Sequence, residues 1–155
     1  DILKLPYNLK GFFDYDEALL NAKTNNKPIL IDFVGHSCSN CKVMYNKVWS
    51  DTTVQELLKK FIIAALYVDD RTLMPESKWY TSKYDGKLKK TLGQKNADIQ
   101  LNKFKTNALP AYFIIDPAEN ILTEGFFFST NIEEFKEFLK KGLTKFQEKY
   151  INANN

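Results

Sequence analysis

The sequence predicts an α/β protein whose mixed central sheet is flanked by helices on both sides. Three observations carry that expectation. Residues 29–34 (Ile-Leu-Ile-Asp-Phe-Val) and 62–68 (Ile-Ile-Ala-Ala-Leu-Tyr-Val) are nearly continuous apolar, β-branched runs, as in strands buried on both faces. A third run, 111–116, follows Leu109-Pro110 directly; a turn at 117–120 and a further apolar stretch at 121–128 complete a hairpin. Between these runs the apolar residues recur at helical spacing.

The elements follow in order. Asp14 opens the first helix as an N-cap, with Glu17 at the third helical position, ahead of Ala18, Leu19 and Ala22. Asn25, Asn26 and Pro28 end it. In the strand that follows, only Asp32 interrupts the apolar run. Past Cys38 and Cys41, the residues Val43, Met44, Val48 and Trp49 continue a helical pattern. Ser50-Asp51-Thr52-Thr53 is expected to break it, because Thr52 with Gln55, or Thr53 with Glu56, forms a fresh capping box. Leu57, Leu58 and Phe61 then face the core, and the second strand ends at Asp69-Asp70. Within an insertion at 71–95, segments 78–84 and 87–92 flank Asp85-Gly86, a favoured type I′ turn pair, which predicts a β-hairpin. A helix over about 96–104 uses Ile99, Leu101 and Phe104. Thr130 with Glu133 caps a last amphipathic helix with the stripe Ile132, Phe135, Phe138, Leu139, Leu143 and Phe146; residues 151–155 are expected to fray. No internal repeat or composition break appears, so residues 1–155 read as a single domain.

Length and composition narrow the function. A chain of 155 residues can bury roughly two-thirds of its unfolded surface. Twelve Phe and eight Tyr supply core material, so no structural disulfide is required. A net charge of +3, with lysines interspersed among acids, argues against nucleic-acid binding. No apolar run approaches the ~18–20 residues of a membrane span, and no signal-peptide pattern opens the chain. The start at Asp1 without Met is expected of a processed or excised piece.

The chemistry centres on Cys38-Ser39-Asn40-Cys41, which holds the only two cysteines and directly follows the first buried strand. Two thiols three positions apart at a helix start can close a small disulfide with little movement. Cys38, at the helix N-terminus, is the expected nucleophile. The macrodipole and free N–H groups there are worth about 0.3–2 kcal/mol to a thiolate, up to roughly 1.5 pKa units. Only the thiolate attacks a disulfide. Cys41, one turn deeper, should keep its proton until it resolves the Cys38–partner bond. A zinc site would need further ligands, and the chain offers one histidine, so no metal is expected. The only cofactor-like element is the Cys38–Cys41 disulfide itself.

Asp32 is the second candidate. Burial should raise its pKa, and six residues before Cys38 it is suited to take the Cys41 proton, unless it merely satisfies a buried backbone group. Pro110, with Leu109 before it, is a candidate substrate-contact segment: a cis bond would present a backbone edge to an extended partner, whereas a trans bond would simply start the strand. His36 and Ser37, just ahead of Cys38, are candidates for touching a partner; an exposed loop is the alternative. Trp79, Tyr80 and nearby lysines make the insertion basic and aromatic, either packed inward or forming a docking surface.

Lys27-Pro-Ile-Leu-Ile-Asp-Phe33, Cys38-Ser-Asn-Cys-Lys42 and Leu109-Pro-Ala-Tyr-Phe113 together resemble the motif strand, redox helix and cis-proline loop of the thioredoxin superfamily. Asp32-Phe-Val-Gly-His-Ser-Cys-Ser-Asn-Cys-Lys42 and Val48-Trp-Ser-Asp-Thr-Thr-Val54 further resemble the C-terminal domain of DsbD-type thiol:disulfide interchange proteins. Tyr67-Val-Asp-Asp-Arg-Thr72 and the insertion after it resemble Bacteroidetes-type members. The resemblance implies a thioredoxin-like fold, with Cys38 and Cys41 as the active pair, Asp32 as the buried acid and Pro110 as the cis-proline. It also implies a monomeric, periplasmic disulfide reductase. Such a domain is tethered to the inner membrane by a preceding transmembrane electron-donor domain of the same parent protein and acts on periplasmic disulfide-containing proteins. Two departures stand out: Tyr45 occupies a position where the family often has an acid, and Ser39-Asn40 lacks the Gly-Pro of ordinary thioredoxins. A free-standing periplasmic reductase, for instance in cytochrome c maturation, and a non-enzymatic binding module are the alternatives.

Overall fold

The computed structural model describes residues 3–154. In chain order the elements are β1 (Leu3–Lys4), β2 (Lys10–Gly11), α1 (Tyr15–Asn25), β3 (Ile29–Val34), α2 (Ser39–Lys47), α3 (Thr52–Leu58), β4 (Ile62–Tyr67), β5 (Tyr80–Thr81), β6 (Leu88–Lys89), α4 (Leu92–Phe104), β7 (Ala111–Ile115) and α5 (Ile132–Asn154).

The three apolar runs form one sheet in the order β4-β3-β7, with β3 in the middle. β3 runs parallel to β4, from Ile29 beside Ile62 to Val34 beside Tyr67, and antiparallel to β7, from Ile29 beside Ile115 to Phe33 beside Ala111. The sheet is therefore mixed, as the sequence predicts. Every residue of β3 is buried, which explains why its sequence is apolar on both faces.

Strand alternation sorts the core into two layers. Leu30 and Val34 pack with Ile63, Ala65, Tyr112 and Ile114 against Cys41 and Met44 of α2, Leu57 and Leu58 of α3, and Phe135 and Leu139 of α5. On the opposite face, Ile29, Ile31 and Phe33 pack with Phe113 against Ala18, Leu19 and Ala22 of α1 and Phe104 of α4. Full burial of each such side chain contributes about 1.5–3 kcal/mol. Residue 32 falls on the first of these faces.

Several boundaries differ from expectation, each for a local reason. Asp51, not Thr52 or Thr53, caps α3: its carboxylate accepts the Val54 N–H at 3.0 Å. β4 ends at Tyr67 rather than 68. α4 begins at Leu92, four residues early, because Thr91 and Gln94 form a capping box that the apolar count overlooked. The hairpin exists, but β5 and β6 have only two residues each. Its turn is not type I′: of Asp85 and Gly86 only Gly86 has positive φ, at 72°, and the loop closes through Ser82 N–H to Lys87 C=O. Residues 121–128 do not make a continuous strand; they meet β7 only through bridges at Ile121 and Phe126. Asn131 rather than Thr130 caps α5, accepting the Glu134 N–H at 3.1 Å. α5 then continues to Asn154 where fraying was expected, and Asn155 lies outside the described residues. The short β1–β2 pair has no apolar alternation and gave no sequence signal.

α4 buries polar residues on two sides. Asn96, Asp98 and Gln100 are buried polar residues. Asp98 accepts hydrogen bonds from Tyr80 Oη (2.8 Å) and Ser82 Oγ (2.6 Å), which fastens the hairpin to the helix. Trp79 also turns inward, its Nε1 donating to the Met74 carbonyl at 2.9 Å while Lys90 lies over its ring. Among the described residues no helix is long and apolar enough to cross a membrane.

Candidate functional site

The site forms where the parallel strands β3 and β4 end. The chain leaves β3 at Val34, turns through Gly35, His36 and Ser37, and enters α2 with Cys38 as its N-cap residue. Cys38 N–H donates to the Gly35 carbonyl at 3.1 Å, which makes the turn tight. The sulfur of Cys38 in turn accepts the N–H of Cys41 at 3.2 Å. This is the arrangement the sequence argument needs: Sγ faces the free N–H groups of a helix start. Cys38 and Cys41 form a disulfide, with Cα atoms 5.3 Å apart. Their exposures differ. Cys38 is half-buried and open to one side, while Cys41 is 1% exposed. An incoming thiol or disulfide therefore meets Cys38 first.

The β3/β4 register explains how the turn is held. Val34 lies beside Tyr67, so two residues on His36 comes opposite Asp69. The Asp69 carboxylate accepts the N–H of His36 at 2.9 Å and of Ser37 at 3.2 Å. Slight burial pushes the Asp69 pKa up, but these two N–H donors and His36 outweigh it and hold the carboxyl below its usual range. The His36 ring stacks on Tyr67, centroids 4.0 Å apart, so the imidazole is exposed yet fixed in direction. Gly93 explains the close fit of α4 here: a Cβ at that position would fall within 2.9 Å of backbone atoms of Val68 and Asp70.

Leu109 and Pro110 come to the same place from β7. The Leu109–Pro110 peptide bond is cis. A Cβ at Gly35 would sit 3.4 Å from Asp69 Oδ2, 3.4 Å from Leu109 Cδ1 and 3.5 Å from Cys38 Cβ, so these three residues converge on one glycine. Gln100 steadies the approach, its Nε2 donating to the Ala108 carbonyl at 2.8 Å. Cys38, Leu109, Pro110, His36 and Ser37 thus surround one rim.

Asp32 lies beneath that rim and is fully buried. Its strand neighbours are Ala65 on β4 and Tyr112 on β7. The small alanine leaves room for a side chain from α2. Tyr45 takes it, and its hydroxyl donates to Asp32 Oδ2 at 2.5 Å. Oδ1 has no hydrogen-bond partner among the described residues. Burial pushes the Asp32 pKa up to about 7, against the smaller downward pull of the Tyr45 hydroxyl. The Tyr45 hydroxyl is itself held far above its ordinary range, by burial and then by the Asp32 charge, so it stays a donor.

Chemically, this arrangement offers an accessible sulfur at a helix start, a second sulfur behind it, and a carboxyl able to change charge near neutrality. Among the described residues no group of three or more His, Cys, Asp and Glu is placed to hold a metal. Asp69, Tyr45, Tyr67 and Gln100 were not sequence candidates for the site. Asp69 had a usable signal, since the C-terminal ends of two parallel strands share one end of the sheet. Tyr45 also had one, because it is four residues after Cys41 on the same helix face.

Comparison with known proteins agrees with this architecture. A thioredoxin from Thermus thermophilus superposes with a TM-score of 0.63 at 23% identity, covering 87% of this chain and 88% of its own. A structure described as DsbH oxidoreductase superposes with a TM-score of 0.62 at 19% identity, covering 92% and 91%. The reduced C-terminal domain of Neisseria meningitidis DsbD gives 0.55 at 16% identity, covering 84% and 98%. At these identities the likeness is one of fold. No curated protein matches the sequence significantly. A family model described as thioredoxin-like matches residues 8–117, which span α1 to β7 and include both cysteines, Asp32 and the cis-proline. The chain belongs to the thioredoxin-like family.

Proposed function

We propose that this chain is a thiol–disulfide oxidoreductase that reduces disulfides of periplasmic proteins, as the C-terminal electron-passing domain of a DsbD-like membrane conduit. One observation carries the exchange chemistry. Cys38 is the half-exposed N-cap of α2 and is bridged to a buried Cys41 one turn behind it. In the reduced state Cys38 loses its proton and attacks a partner disulfide; one partner sulfur leaves as a thiolate and a mixed disulfide forms. Cys41 then gives up its proton and attacks Cys38 Sγ. The Cys38–partner bond breaks, the second partner sulfur leaves as a thiolate that water protonates, and the Cys38–Cys41 bond closes. Two electrons pass from the pair to the partner. Asp32 takes the Cys41 proton, a role supported by its burial and its raised pKa.

The rim is the partner-binding surface. Leu109 and Cys38 meet at Gly35, and His36 and Ser37 form the turn between Gly35 and Cys38. The reductive direction and the membrane tether rest on the sequence resemblance to DsbD-type domains. The likeness in fold to a DsbD C-terminal domain and to a DsbH oxidoreductase supports the oxidoreductase part of this reading. A transmembrane electron-donor domain of the same parent protein is then the partner that re-reduces the pair. The redox cofactor is the disulfide itself, the working unit is a monomer, and no nucleic acid takes part.

The test is a Cys41→Ser variant expressed with its full parent sequence. Cys38 should then hold its partners as mixed disulfides, released by added reductant and recovered from the periplasm. Absence of any such adduct, with Cys38 free and reactive, would contradict the proposal.

A further inference from the structure

We infer that Tyr45 is a positioning residue of the exchange reaction: its hydroxyl fixes one oxygen of Asp32 and leaves the other, Oδ1, as the place where the Cys41 proton is received. The inference rests on the exchange chemistry proposed above. Three observations support it. First, the Tyr45 hydroxyl donates to Oδ2 at 2.5 Å, while Oδ1 is buried without a partner. A buried acceptor left open is costly, and native proteins satisfy nearly all of them. Second, Tyr45 and Cys41 are four residues apart on α2 and so share a face of the helix. The contact that brings Tyr45 to Asp32 therefore turns Cys41 toward the same strand. Third, the register gives the phenol room: Ala65, beside Asp32 on β4, is small.

The other groups facing Asp32 do not compete. Tyr45 from α2, Tyr67 from β4 and Tyr112 from β7 are the titratable side chains around it, besides the cysteines, and burial holds all three phenols in the protonated form. In the resolution step the Cys41 S–H proton passes to Oδ1, and the carboxylate becomes a carboxylic acid. The sulfur's electron pair makes the bond to Cys38, and the partner thiolate leaves. The Asp32 proton returns to solvent before the next turnover. By donating to Oδ2, Tyr45 favours the charged carboxylate and so keeps part of Asp32 available as a base near neutral pH.

The experiment is rapid mixing of the reduced protein with an aromatic disulfide probe across pH. The first thiolate released reports attack by Cys38, and the second reports resolution by Cys41. Tyr45→Phe keeps the ring, which packs edge-on to Trp49 at 4.7 Å, and removes only the hydroxyl. The second phase of the variant should shift its pH inflection upward by about one unit, and its rate at pH 7 should fall about five-fold. The first phase should change less than about twofold. In an Asp32→Asn background, Tyr45→Phe should add no further shift. A variant profile superimposable on the parent, or a shift that persists without Asp32, overturns the inference. If the parent itself shows no second release, the exchange reading fails instead, and the inference falls with it.

Discussion

At the end of β7, Asp116 accepts hydrogen bonds from the Asn120 backbone at 2.8 Å, from Asn120 Nδ2 at 2.9 Å and from Lys149 Nζ at 2.8 Å. In the middle of β3, Asp32 accepts one, from Tyr45. Both carboxyls are buried, at 5% and 0% exposure; Asp32 lies within β3, and Asp116 directly follows its neighbour β7. Burial pushes each pKa up. At Asp116 the Lys149 and Asn120 donors more than offset it, and the carboxyl is held below its usual range. At Asp32 burial prevails, and the pKa rises to about 7. Depth and partner supply together decide the charge: Asp32 lies in the middle of the sheet with one donor, and Asp116 nearer its end with several. The fully served carboxylate fastens α5 to the turn after β7; the half-served one lies under the cysteine pair.

This contrast is open to direct attack through pH-dependent stability. Asp32 has a folded pKa above its unfolded value of about 3.8, so the folded state holds the proton more tightly. Its contribution is fully present below about pH 4 and is lost as pH rises through about 7. Asp32→Asn should therefore stabilise the protein at pH 8 by at most about 4 kcal/mol, with the gain vanishing near pH 4. Urea unfolding at the two pH values measures this. Equal effects at both would show that Asp32 is not held protonated by the fold.

The smaller effect has the opposite sign. Asp116 has a depressed folded pKa, so its contribution is present above the unfolded value and is lost as pH falls through the folded one. Asp116→Asn should destabilise by about 1–2 kcal/mol at pH 7 and by less near pH 3, read from the same unfolding curves. A gain at pH 7 would place Asp116 in the class of Asp32 and dissolve the comparison.

The same two sites show what a sequence can convey. A lone acid inside a run of Ile, Leu, Phe and Val marks Asp32 as unusual without any structure, because apolar strands rarely tolerate one. Cys38 and Cys41 are legible for a similar reason: strand, turn and helix start fall in register around them. Tyr45, by contrast, shows in the sequence only as a tyrosine where the resembled family often has an acid, and its meaning depends on Ala65 of β4 leaving a gap beside Asp32. Asp69 reads as a strand terminator until the parallel register sets it against His36. The buried polar residues of α4 are illegible in the sequence, since Asn96, Asp98 and Gln100 look like solvated positions. Only the segments they fasten, at 67, 80–82 and 108, make them interior. Local chemistry is written in the chain; contacts between distant segments need the fold.

The central claim is that Cys38 and Cys41 cycle as one redox couple. Equilibrating the protein in graded thiol/disulfide buffers and counting free thiols at each potential tests it most directly. The account predicts one reversible transition with a two-electron slope, both thiols appearing together. Thiols that appear independently, or a disulfide that stays closed across the whole range of biological potentials, would contradict it.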